Sequence, residues 1–233
     1  MLNQDILEQR HEIFTASENH RLMGYWKTKP NEMTKGLETY ADEKALAHFF
    51  NPDPSLNFNT AHTRNGEERE PECMQMLSEK LGFDFLFTGD DQIHLDNGKT
   101  GVTPDGLFYN AFDIIETGAE VKCKSPKVHM KNLTINNTAD LQIVAFDNFT
   151  QIQTAMLVTE TEHWHYANYN PYAKDPELAF KHVVINRDKV FIDVLCKRID
   201  MAHTLKLELI EIYNRTLKRI KKQPKKSKLT INL

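Results

Sequence analysis

Thr103-Pro104-Asp105-Gly106-Leu107-Phe108-Tyr109 and, further along the same stretch, Glu120-Val121-Lys122 decide how this chain is read. Glu120 and Lys122 stand two apart in a β-type run, so their side chains share one face. Asp105 sits at a break between Pro104 and Gly106, ahead of an apolar run. Two adjacent strands joined by a loop bring it beside Glu120. Two carboxylates and an ammonium on one sheet face make a divalent-cation site with a positioned lysine. Hard oxygen ligands suit Mg²⁺ or Mn²⁺. Such ions activate water and stabilise an in-line displacement at phosphorus. A Glu-x-Lys tripeptide alone fits a solvated surface hairpin; the Pro-Asp-Gly break before the apolar run makes the pattern far more specific.

Outward from this stretch, apolar spacing predicts helices over about 36–50 and 66–82, the second ended by Gly82 with Pro71 in its first turn. The glutamates of that turn suit the helix dipole, or one of them turns inward as a metal ligand. A helix capped by Thr15 or Ser17 is expected near Glu18, followed much later by a short helix capped near Asn136–Asp140 and another over 149–158. Short strands are expected at Phe83–Phe87 and Gln92–Leu95, a hairpin at about 101–124, and strands at His163–Tyr169 and Phe180–Ile185. Asp188 to about Lys221 reads as one long amphipathic helix. His163 and His165 lack a third ligand at zinc-like spacing and read as structural.

The chain has 233 residues, 40% hydrophobic and 27% charged, an ordinary globular balance. Residues 1–221 are expected to form a single domain, with 222–233 as a basic tail. Eight basic residues and no acids lie between Arg215 and Lys228, so the remaining chain is more acidic than the overall −4. The tail is a solvated terminus or a non-specific DNA contact. Cys73, Cys123 and Cys196 are scattered and expected to be free thiols. No run approaches a membrane helix and the N-terminus lacks signal-peptide order, so a cytoplasmic location is expected, that of the host cell if phage-encoded.

Four stretches resemble, in the same order, the lambda exonuclease or YqaJ-type viral recombinase family of the PD-(D/E)XK nuclease superfamily. They are Arg10…Thr15-Ala16-Ser17-Glu18; Gly66…Glu70; Thr103-Pro104-Asp105-Gly106-Leu107…Glu120-Val121-Lys122; and Gln151-Ile152-Gln153 through Tyr166-Ala167-Asn168-Tyr169-Asn170-Pro171 to Val183-Val184-Ile185. The resemblance implies an α/β fold, a central mixed β-sheet flanked by helices in a restriction-endonuclease-like core, here with a long C-terminal helix. It implies that Asp105, Glu120, Glu70 and the Val121 carbonyl hold Mg²⁺ or Mn²⁺, with two ions. Lys122 would orient or help deprotonate the attacking water, and Gln151 would lie near the scissile phosphate. Arg10, Ser17 and Thr103 look like the pocket for a 5′-phosphate. Thr103 stands where the family usually has serine, keeping the hydroxyl. The family's additional aspartate has no counterpart in register; Asp96 is nearest, one residue off.

The function implied is a metal-dependent 5′-to-3′ exonuclease at double-stranded DNA ends, releasing 5′-mononucleotides and leaving 3′ single strands for phage-type recombination. A ring-shaped homotrimer and a single-strand-annealing protein come with the resemblance as partners. The alternatives are a PD-(D/E)XK endonuclease or DNA repair nuclease, and a DNA-binding scaffold with a decayed site.

Overall fold

The computed structural model describes residues 4–51 and 68–222. The polar loop expected after Asn51, Gly66 at the start of the second helix, and the tail from residue 223 on lie outside them. In chain order the elements are α1 (Gln4–His11), β1 (Phe14–Thr15), α2 (Lys35–Ala47), α3 (Glu70–Leu81), β2 (Leu95–Asp96), β3 (Thr100–Val102), β4 (Gly106–Tyr109) and β5 (Ile115–Lys122). Then come α4 (Pro126–Asn132), α5 (Thr138–Val144), α6 (Phe146–Thr159), β6 (His163–Tyr169), β7 (Phe180–Asn186) and α7 (Lys189–Lys222). The larger sheet has the order β4-β5-β6-β7, with β5 and β6 parallel and the outer pairs antiparallel. The smaller has the order β1-β3-β2.

Local chemistry explains the helix limits. Thr34 caps α2 by accepting the Leu37 N–H. Pro71 occupies the first turn of α3, and Gly82 ends it in the left-handed region at φ 68°. Asn137 accepts the Asp140 N–H at the start of α5. The parallel β5–β6 pair needs a crossover, which α4, α5 and α6 supply. On α6, Phe149, Ile152 and Met156 join Trp164, Ile185, Phe191 and Leu195 in the main core. A Cβ at Gly118 would meet the Trp164 ring at 2.3 Å, so only glycine lets β5 pass under that indole. The buried Gln153 spends both ends of its amide on the β7–α7 junction, bonding Asn186 O at 2.9 Å and Asp188 N at 2.8 Å. With 34 residues, α7 is about 51 Å long. It packs along α2, and its buried Arg198 bonds the carbonyls of Leu22, Gly24, Lys29 and Pro30.

Several local expectations are corrected. The stretch 101–124 is not one hairpin: Thr100–Val102 pairs with β1 and β2, whereas Gly106–Tyr109 pairs with β5. The chain changes sheets at Thr103-Pro104, where proline has no N–H to offer a ladder. Phe83–Phe87 makes only a bridge, Leu86 to Leu107. Its phenylalanines are used as packing, with Phe83 stacked on Phe108 at 4.2 Å, and Phe87 turns to φ 58°. The strand expected at Gln92–Leu95 begins only at Leu95. Near Glu18 there is a 3₁₀ turn, Asn19–Met23, with no side-chain cap. Thr15 lies in β1, with its hydroxyl 3.2 Å from the Tyr40 hydroxyl. A helix, α1, instead precedes β1.

Candidate active site

Asp105 stands where the chain leaves the small sheet for the large one. Its own N–H bonds Ala119 O at 3.2 Å. Its carboxylate accepts the Val121 N–H at 2.7 Å and the Gln92 side-chain amide at 3.2 Å. Asp105 is thus tied directly to the strand that carries Glu120 and Lys122. Glu120 and Lys122 share a face of β5 and form an ion pair, with side-chain exposures of 3% and 17%. On the neighbouring strand, the parallel register sets Tyr166 beside Glu120 and Asn168 beside Lys122. The Tyr166 hydroxyl accepts from Asn148 at 2.9 Å and Asn132 at 3.3 Å, and Asn132 also donates to Asn168 at 2.7 Å. This buried polar network holds β6 rigid alongside the ion pair.

One cavity of about 380 Å³ gathers the residues singled out from the sequence. Arg10, Ser17, Glu70, Thr103, Asp105, Glu120, Lys122 and Gln151 all line it, from α1, the β1 loop, α3, the sheet switch, β5 and α6. Val121 contributes no side chain; its own is buried in a core cluster with Cys73, Met74 and Ala167 on the other face of β5. Asp96 does not line it; its carboxylate accepts the Gly98 N–H at 2.8 Å and shapes the β2–β3 turn. Of the glutamates among the described residues at the start of α3, Glu68, Glu70 and Glu72, it is Glu70 that lines the cavity. Asp90 and Gln92 also line it and were not singled out from the sequence, and Thr15, expected only as a helix cap, lines it too. Asp90 lies in a 3₁₀ turn, Gly89–Asp91, and Gln92 directly follows it, a short segment with no pattern that marks either as a site residue. The Gln92 bond to Asp105 becomes visible only with the fold.

The electrostatics are uneven. Burial, then the Glu120 charge, raise the Asp105 pKa well above 3.8; Lys122 pulls it back, Glu70 adds to the rise, and the Val121 N–H opposes it. Burial works against the Lys122 ammonium, but Glu120 and Asp105 outweigh it and hold its pKa above the ordinary lysine value. Burial lowers the Arg10 pKa, while Tyr40, Glu120 and Glu18 oppose that fall. Lys44 donates to the Arg10 and His11 carbonyls at 3.1 and 2.9 Å, and Lys206 to the Glu12 carbonyl at 2.7 Å. These bonds clamp the end of α1 that aims Arg10. Burial, then the charges of Arg10 and Lys206, push the Lys44 pKa down to about 8.

Among the described residues, no three acidic, histidine or cysteine side chains stand around one point at ligand spacing. The donor chemistry nevertheless fits a hard cation. Asp105 and Glu120 face one cavity, where burial and the Glu120 charge make the Asp105 carboxylate costly to ionise, a cost that Lys122 offsets only in part. His165 is instead bonded to His182 at 2.9 Å, and burial lowers its pKa to about 3, so it is a neutral packing group.

The fold is that of a known class of nucleases. An alkaline exonuclease from Laribacter hongkongensis, LHK-Exo, superposes with a TM-score of 0.74 at 17% identity, covering 94% of this chain and 100% of that one. Its complex with dAMP gives 0.73 at 18% identity, covering 93% and 100%. A phage related exonuclease from Haemophilus somnus 129PT gives 0.68 at 16%, covering 88% and 98%. At these identities the likeness establishes the α/β architecture. Residues 5–162 match the YqaJ-like viral recombinase domain, and the chain belongs to that family. No curated protein matches it in sequence. No described helix is long and apolar enough to cross a membrane.

Proposed function

We propose that this protein is a metal-dependent 5′-to-3′ exonuclease acting at double-stranded DNA ends. The observation that carries the reading is the single cavity in which Asp105, Glu120 and Lys122 face Arg10, Ser17 and Thr103. Acid–lysine chemistry and an anion-recognising group share one space, as removal of a nucleotide from a phosphorylated end requires. Family membership supports a role in viral recombination, and the structural relatives are described as exonucleases.

Asp105, Glu120 and the Val121 carbonyl would hold Mg²⁺ or Mn²⁺, with Glu70 serving a second ion. Such ions lower the pKa of bound water and offset charge on the scissile phosphate. The chain's own residues do the rest. Arg10 and the hydroxyls of Ser17 and Thr103 bind the terminal phosphate and set which phosphodiester lies over Asp105. Lys122, held by Glu120, orients the attacking water and offers its charge to the phosphorane oxygens. Gln151 donates to the scissile phosphate. Water's oxygen bonds to phosphorus, the O3′–P bond breaks, and the departing 3′-oxygen gains a proton, releasing a 5′-mononucleotide. A ring-shaped homotrimer and a single-strand-annealing protein complete the proposal.

The test is release of acid-soluble nucleotide from linear duplex DNA in Mg²⁺ and Mn²⁺ by wild type, Glu120→Gln and Lys122→Met. Loss of about 10²–10⁴-fold in kcat for Lys122→Met with an intact fold is expected. Wild-type inactivity in both metals, or near-full activity of Glu120→Gln, contradicts the assignment.

A further inference from the structure

His94 is not on the cavity wall, yet it touches the wall at two points. Its Nδ1 is 3.2 Å from Thr103 Oγ1. Its ring packs against Gly101, where a Cβ would meet Nε2 at 2.4 Å. Gly101 and Thr103 both line the cavity, so the glycine makes room for the imidazole directly behind the threonine hydroxyl. The Nε2 atom is buried and has no hydrogen-bond partner among the described residues. The ring therefore has one polar contact, and that contact is Thr103.

We propose that His94 is the positioning residue for Thr103 in recognition of the terminal phosphate, donating from Nδ1–H to Thr103 Oγ1. The inference rests on the reading of this cavity as a 5′-phosphate pocket. A threonine hydroxyl has one hydrogen. If it were given to His94, the cavity would meet only oxygen lone pairs, which repel an anion. With His94 as donor, the hydroxyl's hydrogen is released toward the cavity and its lone pairs are engaged behind. The Nδ1–H tautomer leaves Nε2 as a bare acceptor in the buried space against Gly101. Arg10 supplies the charge in the pocket, and the His94–Thr103 pair supplies a donor of fixed direction.

Three readouts test this. Binding of blunt duplexes with 5′-phosphate or 5′-hydroxyl ends is measured in a chelator, for wild type, His94→Phe, Thr103→Val and the double variant. His94→Phe keeps a ring on Gly101 and removes the donor. It should weaken the phosphorylated duplex about five-fold, the worth of one hydrogen bond, and leave the hydroxyl duplex unchanged. In the Thr103→Val background it should have no further effect. His94→Asn, whose amide reaches the position of Nδ1, should recover part of the loss. On wild type, nitrogen-15 shifts of His94 with inorganic phosphate present should report Nδ1–H and a bare Nε2. A wild type that prefers phosphorylated ends while His94→Phe keeps that preference overturns the role of His94 alone, as does full additivity with Thr103→Val or an Nε2–H tautomer. A wild type with no preference between the ends overturns the phosphate pocket and this proposal together.

Discussion

Replacing Asp105 by Asn should make the metal-free protein more stable while abolishing its activity. The Asp105 carboxylate accepts the Val121 N–H at 2.7 Å and the Gln92 amide at 3.2 Å. Asparagine keeps one oxygen for Val121, and Gln92 can turn its own oxygen to the new amide, so little hydrogen bonding is lost. What disappears is a half-buried charge facing Glu120. Lys122 loses one supporting carboxylate but retains its pairing with Glu120. The net gain is about 1–2 kcal/mol, or about 2–8 °C in melting temperature for a chain of this size. The sign follows from linkage. The folded-state pKa of Asp105 is raised above 3.8. Wild type therefore enjoys its full stability below that value and loses it as pH climbs through the raised pKa and the fold must hold the charge. The advantage of Asp105→Asn should be absent near pH 3.8, grow with pH and plateau once wild-type Asp105 is ionised. Urea denaturation in a chelator at several pH values measures it. Adding Mg²⁺ should stabilise wild type and leave the variant unmoved. A variant less stable than wild type at pH 8 without metal, or a difference independent of pH, would refute the reasoning.

Other outcomes follow from single contacts. Gly118→Ala drives a Cβ into the Trp164 ring, 2.3 Å away, and should cost about 1–3 kcal/mol by urea denaturation; unchanged stability would remove the close approach as a constraint on β5. Lys44 is charged at a burial cost, with its pKa near 8 against an ordinary 10.5. The unfolded chain holds that proton more tightly, so wild-type stability relative to Lys44→Met should be lowest below pH 8 and rise by about 1–3 kcal/mol toward pH 10.5. Denaturation curves of both proteins from pH 7 to 10.5 check this, and a flat difference contradicts it. Arg10→Ala should reduce the preference for 5′-phosphorylated over 5′-hydroxyl ends at least ten-fold in kcat/KM; equal loss on both substrates would take Arg10 out of the phosphate pocket.

The parts of this fold that were legible in sequence are those set by local chemistry. Gly82 at positive φ, Pro71 in the first turn and Asn137 as a cap marked helix ends that the structure shares. The two-residue period placed Glu120 and Lys122 on one face, and they are paired there. Non-local pairing was not legible. Nothing in Val102-Thr103-Pro104 says that the residues before it join β1 and those after it join β5. The parallel register that sets Tyr166 beside Glu120 arises from the crossover, so the Asn132–Asn148–Tyr166–Asn168 layer was invisible. The helix α1 shows little amphipathic pattern, with Ile6 buried and its neighbour Leu7 exposed, and it is held instead by Lys44 from α2. Scattered cysteines were likewise brought together: Cys123 packs against the small core cluster that contains Cys73, and its thiol, with burial, raises the Cys73 pKa.

The most direct test of the account is a nuclease assay in Mg²⁺ on linear duplex DNA labelled separately at its 5′ and 3′ ends, with a covalently closed circle of the same sequence beside it. The account predicts immediate release of the 5′ label as mononucleotide, retention of the 3′ label on a shortening duplex, and an untouched circle. Cutting of the circle, or loss of the 3′ label first, would contradict it.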